Sequence, residues 1–241
     1  MKIAIMQPYF FPYLGYFDLI YNVDLFLVYD TVQYIRRGWI HRNRVIHQSG
    51  EGWQYISIPV NKASFNISYR TPILDVKVTN SKPWKQHLLG QLAHYEKTAP
   101  HAEQTIKFVS ECLAIDEPSL SRLNVQTLVD CVRLLNLDFR YQFCSDLDIE
   151  LDMGHSAEER ILDLCEFFGA KEYVNLPGGV DLYHPEVFAT RNIKLTFRDL
   201  PAFIYPTGPY VFEPHLSIID VLMWNRPEEI KKYLDKYKGK E

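Results

Sequence analysis

Cysteine is sparse, and its spacing matches no familiar motif. The four thiols, Cys112, Cys131, Cys144 and Cys165, form no C-x-x-C pair. Each sits among apolar neighbours, so buried free thiols in a reducing compartment are expected, not a zinc site, a redox pair or a nucleophile. The eight histidines are scattered, without H-x-x-x-H or H-E-x-x-H, which argues against a metal site. G-x-G-x-x-G, the P-loop and G-x-S-x-G are all missing, and with them the usual signatures of dinucleotide binding, P-loop phosphoryl transfer and α/β-hydrolase chemistry. No stretch approaches the ~20 apolar residues of a membrane span. The N-terminus lacks the apolar core and small-residue cleavage site of a signal peptide. A cytoplasmic protein without membrane insertion is expected. Basic charge is not in excess: the net charge is -4, which argues against a nucleic-acid partner.

The chain has 241 residues, 47% of them hydrophobic and 23% charged. That is ordinary globular composition and enough length to bury a core without a staple. Ile3–Met6 reads as a strand, followed by a turn-rich segment, helical spacing over Phe17–Tyr21, and a second apolar run, Leu25–Tyr29. Strand, loop, helix and strand in this order make a βαβ unit, and all-apolar strands suggest a parallel sheet covered on both faces. Further strands are expected over Tyr55–Val60, Ile73–Val78, Asp138–Phe143, Glu172–Asn175 and Ile193–Phe197. Helices are expected over Pro83–Tyr95, His101–Leu113 and Leu120–Leu135, from Ser156 with a capping box to Gly169, and over Pro185–Ala189, Leu216–Trp224 and Pro227–Tyr237. The expected architecture is one α/β domain over 1–241. Its core is a mainly parallel, doubly wound sheet, and 80–136 forms a helical insertion or cap. Ligands of such sheets sit beyond the carboxyl ends of the strands, here Gln7-Pro8, Asp30, Asn175 and the Pro-Gly-Gly loop.

Four segments could carry chemistry. Pro12–Tyr16 lies at the first strand-to-helix turn. Nucleotidylyltransferase-type folds, which the expected sheet resembles, place an H-x-G-H motif there. This chain has Tyr13-Leu14-Gly15-Tyr16, so the backbone solution is similar without the imidazoles, and a tight turn packed by aromatics is the plainer alternative. Asp30–Arg44 brings four arginines together with Gln33, Tyr34, Trp39 and Asn43. Arginine forks suit phosphate or carboxylate, and Trp39 offers a stacking face. The plainer alternative is a solvated basic hairpin. Asn175–Tyr183 carries Gly178 and Gly179, whose missing side chains let a ligand approach backbone N–H groups, or make a simple turn. Phe212–Asp220 holds Ser217 and Asp220, more plainly a helix N-cap and a first-turn acid.

Taken in order, Gln7–Phe17, Asp30 through Gln33-Tyr34 to Arg42-Asn43-Arg44, Gly169-Ala170, Pro177-Gly178-Gly179 through Tyr183, and His215–Asp220 resemble the WbqC-like protein family over nearly the whole chain. The resemblance implies a role in surface-polysaccharide (lipopolysaccharide, O-antigen-like) biosynthesis. The expected activity is a transferase acting on an anionic small-molecule substrate: a nucleotide-sugar, or an activated acyl or aminoacyl donor with an amino-sugar acceptor. Asp30, as general base, and Tyr34 are the expected catalytic residues. Gln7, Tyr16, Gln33, Trp39, Arg42, Asn43, Arg44, Asn175, Gly178, Gly179, Tyr183, Ser217 and Asp220 are expected to bind substrate. Arg42 and Arg44 would hold phosphate or carboxylate. No cofactor is required on these grounds beyond a nucleotide or CoA-type donor. A non-catalytic binding or scaffold protein of the same pathway stays open, as does a homodimer through the Pro/Tyr-rich loop.

Overall fold

Seven strands and eight α-helices were found in the computed structural model, which describes residues 1–61, 71–79, 83–149 and 154–240. The first apolar run forms β1 (Lys2–Met6) and the second β2 (Leu25–Val28), joined through α1 (Leu14–Tyr21). They pair in parallel from Ile3 opposite Leu25 to Met6 opposite Val28. β5 (Tyr141–Phe143), β6 (Glu172–Asn175) and β7 (Lys194–Phe197) complete a five-stranded sheet in the order β5-β2-β1-β6-β7, with every neighbour parallel. Counted along the chain within this sheet, that is order 3-2-1-4-5, the arrangement of doubly wound folds. The order reverses between β1 and β6, which opens a crevice at their carboxyl ends.

Alternation along the strands explains why they are apolar throughout. Ala4, Phe26, Val28, Phe143 and Val174 enter a large core built with α1, α2 (Trp84–Leu92), α3 (Ala102–Cys112), α4 (Leu120–Leu134), α7 (Ile218–Trp224) and α8 (Pro227–Tyr237). Ile3, Ile5, Leu25, Leu27 and Tyr173 point the other way. They join a smaller core with α5 (Ala157–Phe167) and α6 (Pro185–Thr190). Each sheet face is therefore covered, and side-chain direction alternates as strand geometry requires.

The 83–136 helices belong to the larger core. They contribute nothing to the walls of the cleft described below, so they buttress the sheet and do not cap its crevice. Two strand expectations change. Ile73–Val78 is not a strand: Ile73–Asp75 is a 3-10 turn after Pro72. Its Ile73 and Leu74 amides donate to the Val32 and Asp30 carbonyls, so the segment ties down the chain leaving β2. The strand expected over Tyr55–Val60 runs from Trp53 to Ser57 as β4. It pairs antiparallel with β3 (Arg42–Ile46), a strand within the arginine-rich segment that had no strand-like pattern. Pro59, which lacks an N–H, stands just beyond the end of the ladder.

Helix limits follow local chemistry. The Ser156 hydroxyl accepts from the Glu159 amide and the Glu159 carboxylate accepts from the Ser156 amide, opening α5 as a capping box. Gly169 ends it at φ 62°, a conformation that glycine adopts at little cost. Among the described residues no helix is long and apolar enough to cross a membrane. All four cysteines are free and buried.

Candidate functional site

The turn after β1 must run from the sheet to α1 through Pro8 and Pro12, and its carbonyls need donors. The Asn43 amide donates to the Phe10 and Phe11 carbonyls at 3.0 Å each. The Ser217 hydroxyl donates to the Phe11 carbonyl at 2.7 Å, and the Asn124 amide to Pro8 and Ile40 carbonyls at 2.9 and 2.6 Å. Phe11 sits at φ 39°, a left-handed conformation that costs a non-glycine residue roughly 1–3 kcal/mol and persists only where its surroundings over-determine it. Here two side chains grip its carbonyl.

Above this turn lies a cleft of about 1410 Å³. Met6 and Gln7 end β1 on its wall, Asn175 ends β6, and Arg198 and Asp199 follow β7. Trp39 and Arg44 reach it from the hairpin, Arg160 from α5, and His215 from the loop before α7. Gly15 in the first turn of α1 also lines it. That helix has no side-chain cap, so its leading amides have no side-chain acceptor. A Cβ on Gly15 would lie 2.5 Å from the Tyr13 ring, and one on Gly179 would lie 2.4 Å from the Asn175 amide nitrogen. A side chain at either position would force its neighbour to move.

The arginines differ in availability. Arg198 forks onto Asp18 and also donates to the Tyr237 carbonyl at 2.6 Å, so its charge is compensated within the fold. Arg42 lies over the Tyr55 ring at 4.1 Å and donates to the Gly38 and Arg37 carbonyls, and it is not on the cleft wall. Arg44 is: its guanidinium lies 5.1 Å from both the Trp39 and Trp53 ring centres, one nitrogen reaches the His215 carbonyl at 3.4 Å, and its Nε is shielded from solvent without a hydrogen-bond partner.

The expected site residues divide accordingly. Gln7, Gln33, Trp39, Asn43, Arg44, Asn175, Gly178, Gly179 and Tyr183 line the cleft, whereas Asp30, Tyr34, Tyr16, Arg42, Ser217 and Asp220 do not. Asp30 is buried, and its carboxylate accepts from the Ser145 amide at 3.1 Å and hydroxyl at 2.7 Å, joining the ends of β2 and β5. Burial raises its pKa against those bonds. Tyr34 bonds to the His41 imidazole at 2.7 Å; burial, then the Arg42 charge, pull that imidazole down to about 4. Tyr16 is fully buried and donates to the Gln7 carbonyl at 2.6 Å. Ser217 is the N-cap of α7, accepting from the Ile219 amide. Asp220 is fully buried, accepts from the Tyr95 and Tyr205 hydroxyls, and is pushed up by burial to about 6.

Tyr29, Arg160 and Asp199 on the cleft wall were not singled out from sequence, and Tyr13 and His215 fell within candidate segments without being assigned a role. The strand-end rule that selected Gln7 and Asn175 also reaches Arg198 and Asp199, one and two residues past β7. Burial, with the nearby Tyr9, Asp199 and Asp18, pushes the Tyr13 phenol up to about 12, so it is a neutral donor at physiological pH. Among the described residues no three His, Cys, Asp or Glu side chains gather as metal ligands.

The profile of the WbqC-like protein family matches residues 7–232, and the chain belongs to that family. It is also similar to Uncharacterized protein Rv1507c of Mycobacterium tuberculosis, 33% identical over 236 residues that cover 97% of each chain. No solved structure matches it.

Proposed function

We propose that this member of the WbqC-like family is a transferase of surface-polysaccharide biosynthesis. It binds an anionic activated donor in the cleft beyond β1 and β6: a nucleotide-sugar, or an activated acyl or aminoacyl group destined for an amino-sugar. The observation that carries this reading is Arg44. A guanidinium 5.1 Å from each of two indole rings, with a shielded, unpartnered Nε and no carboxylate bonded to it among the described residues, is prepared for an incoming oxyanion. The strand order and the uncapped α1 terminus support kinship with nucleotidylyltransferase-type folds, in which a phosphate meets the first helix.

In this reading Arg44 holds the donor's phosphate or carboxylate, with help from the α1 amides and the backbone at Gly178. An acceptor amine attacks the donor carbon, the bond to the leaving group breaks, and the leaving group's negative charge is stabilised by Arg44. The amine proton passes to a base on the cleft wall. Among the described lining residues the titratable candidates are His215, which packs edge-on against Tyr13 at 5.7 Å, and Asp199. Asp30 is less suited to that role, since Ser145 already holds its carboxylate.

The test is a thermal-shift panel of nucleotide-sugars, nucleotides, acyl-CoA species and amino acids. A ligand at 100 times its Kd should stabilise the protein by about 2.7 kcal/mol. Arg44→Ala should abolish the shift and Arg42→Ala should keep it; the reverse pattern refutes the assignment. A second reading, a binding protein without turnover, is favoured by tyrosines standing where nucleotidylyltransferase-type enzymes carry histidines. A ligand that binds stoichiometrically, with no product formed and no effect of His215→Ala or Asp199→Asn, would establish it.

A further inference from the structure

We infer that the same cleft holds a second oxyanion subsite, formed by Arg160, Tyr29 and Tyr183, which receives a phosphate or carboxylate group of the other substrate. The two-substrate role rests on the proposed transferase; the subsite itself rests on its own residues.

Arg160 is half-buried in the first turns of α5 and lines the cleft. Its one directed bond to a neighbouring backbone, from Nη1 to the His155 carbonyl at 2.6 Å, fixes the guanidinium without neutralising it. The acids nearby are committed elsewhere. Glu159 caps its own helix at the Ser156 amide, Glu158 accepts from the His184 amide at 2.6 Å, and Asp163 bonds to the His155 imidazole at 2.8 Å. Among the described residues no carboxylate forms an ion pair with Arg160.

The surroundings of Arg160 supply the second observation. Tyr29, one residue past β2, is only 8% exposed and lines the cleft; the Arg160 guanidinium donates towards its oxygen, and no protein acceptor takes its hydroxyl proton. The Tyr173 hydroxyl is also shielded from solvent and donates towards the Tyr183 hydroxyl oxygen, which leaves the Tyr183 proton free for the cleft. Tyr183 packs edge-on against Tyr173 at 5.7 Å and lines the same wall. Burial raises the Tyr29 phenol's pKa, and the hydrogen bond and charge of Arg160 oppose that rise. A buried hydroxyl whose proton has no acceptor calls for an explanation. Neutral phenols and a cation without an ion-pair partner are all donors, so the complement they lack is an acceptor with negative charge. Arg44 offers the same chemistry from the hairpin. A cleft with two separate cationic anchors suits two charged substrates, or the two ends of a reaction between them.

The experiment is isothermal titration of the full chain with inorganic phosphate, at ionic strength held constant with chloride, and then with acetate. Wild-type protein should bind two phosphates. Arg160→Ala and the more conservative Tyr29→Phe should each weaken one of them at least tenfold and spare the other, whereas Arg44→Ala should remove the other one. Two unchanged sites in Arg160→Ala and Tyr29→Phe overturn the inference, as does a single wild-type site lost only with Arg44. A single site lost with Arg160 but not Arg44 keeps the inference and overturns the Arg44 assignment instead. No binding in wild type refutes both. Acetate competing at the Arg160 site identifies a carboxylate as the natural group; phosphate binding that acetate leaves intact identifies a phosphoryl group.

Discussion

At the scale of single residues, the polar groups that stand out in the sequence serve two different ends. Asn43, Ser217, Asp30 and Asp220 are conspicuous because polar side chains in apolar contexts need a reason, and here the reason is mainly internal. Asn43 and Ser217 satisfy the carbonyls of the turn that shapes the cleft, and Asp30 satisfies Ser145. A sequence shows that such a residue is constrained but not whether its partner is a substrate or a carbonyl. Arg42 and Arg44 make the point in strand geometry: residues two apart share a face of β3, yet one guanidinium turns back to the Arg37 and Gly38 carbonyls while the other meets the cleft. Asp30→Asn should destabilise the protein by about 1–3 kcal/mol, because it weakens charge-assisted bonds in a buried setting, while ligand affinity measured on the folded fraction stays within threefold. A large loss of turnover without loss of stability would return Asp30 to catalysis. Gly179→Ala should push the Asn175 amide out of place, costing about 1–3 kcal/mol and weakening ligand binding. A variant with wild-type melting temperature and affinity would show that the Pro-Gly-Gly turn yields freely.

Among elements, those with their own signals were legible and those defined by partners were not. β6 and α8 fall where alternation, proline and flanking turns put them, and the α5 capping box was readable to the residue. The arginine-rich β3 has no apolar alternation on which to recognise a strand. It is held by pairing with β4, by its own Asn43, whose amide donates to the Phe10 carbonyl, and by Tyr95 and Asp220, which accept from the Ile46 amide. These contacts come from far along the chain, so no local window contains them. Ile73–Val78 failed in the opposite sense: its apolar residues resemble a strand, but Pro72 and the carbonyls of Asp30 and Val32 draw it into a 3-10 turn. The capping box permits a measurement at this scale. Ser156→Ala removes the hydroxyl acceptor of the Glu159 amide and should cost about 1 kcal/mol. For a protein of this size that is a fall of roughly 2–4 °C in melting temperature. Since Ser156 precedes the turn bearing Arg160, the same variant should weaken phosphate binding at the Arg160 site more than at Arg44. Equal effects on both sites would mean that α5 is held by its buried face alone.

For the whole molecule, the parallel sheet was legible and its order was not, because strand order is set by crossovers and not by any strand's composition. That order brings β1 beside β6 and so sets the crevice; Arg44 and Arg160, distant in sequence, meet the same cleft only through it. The global property most open to test is the pH dependence of stability, governed in part by Asp220 at the junction of the hairpin, α7 and the loop carrying Tyr205. Burial lifts its carboxyl from 3.8 to about 6 against the lowering effect of the Tyr95 and Tyr205 hydroxyls. A raised folded-state pKa means that the native protein takes up this proton before the unfolded chain does. Its contribution to stability is therefore fully present below about 3.8 and is lost as pH rises through about 6. A difference of this size corresponds to roughly 3 kcal/mol at most. Other carboxylates titrate in the same range, so the quantity to measure is the wild-type minus Asp220→Asn difference in unfolding midpoint between pH 7.5 and 4.5. Wild type should gain on the variant as pH falls through 6, even if the variant starts lower because its amide cannot accept both phenols. Parallel curves would mean that the two tyrosines compensate fully for burial, leaving Asp220 ionised at an ordinary carboxylate pKa inside the core.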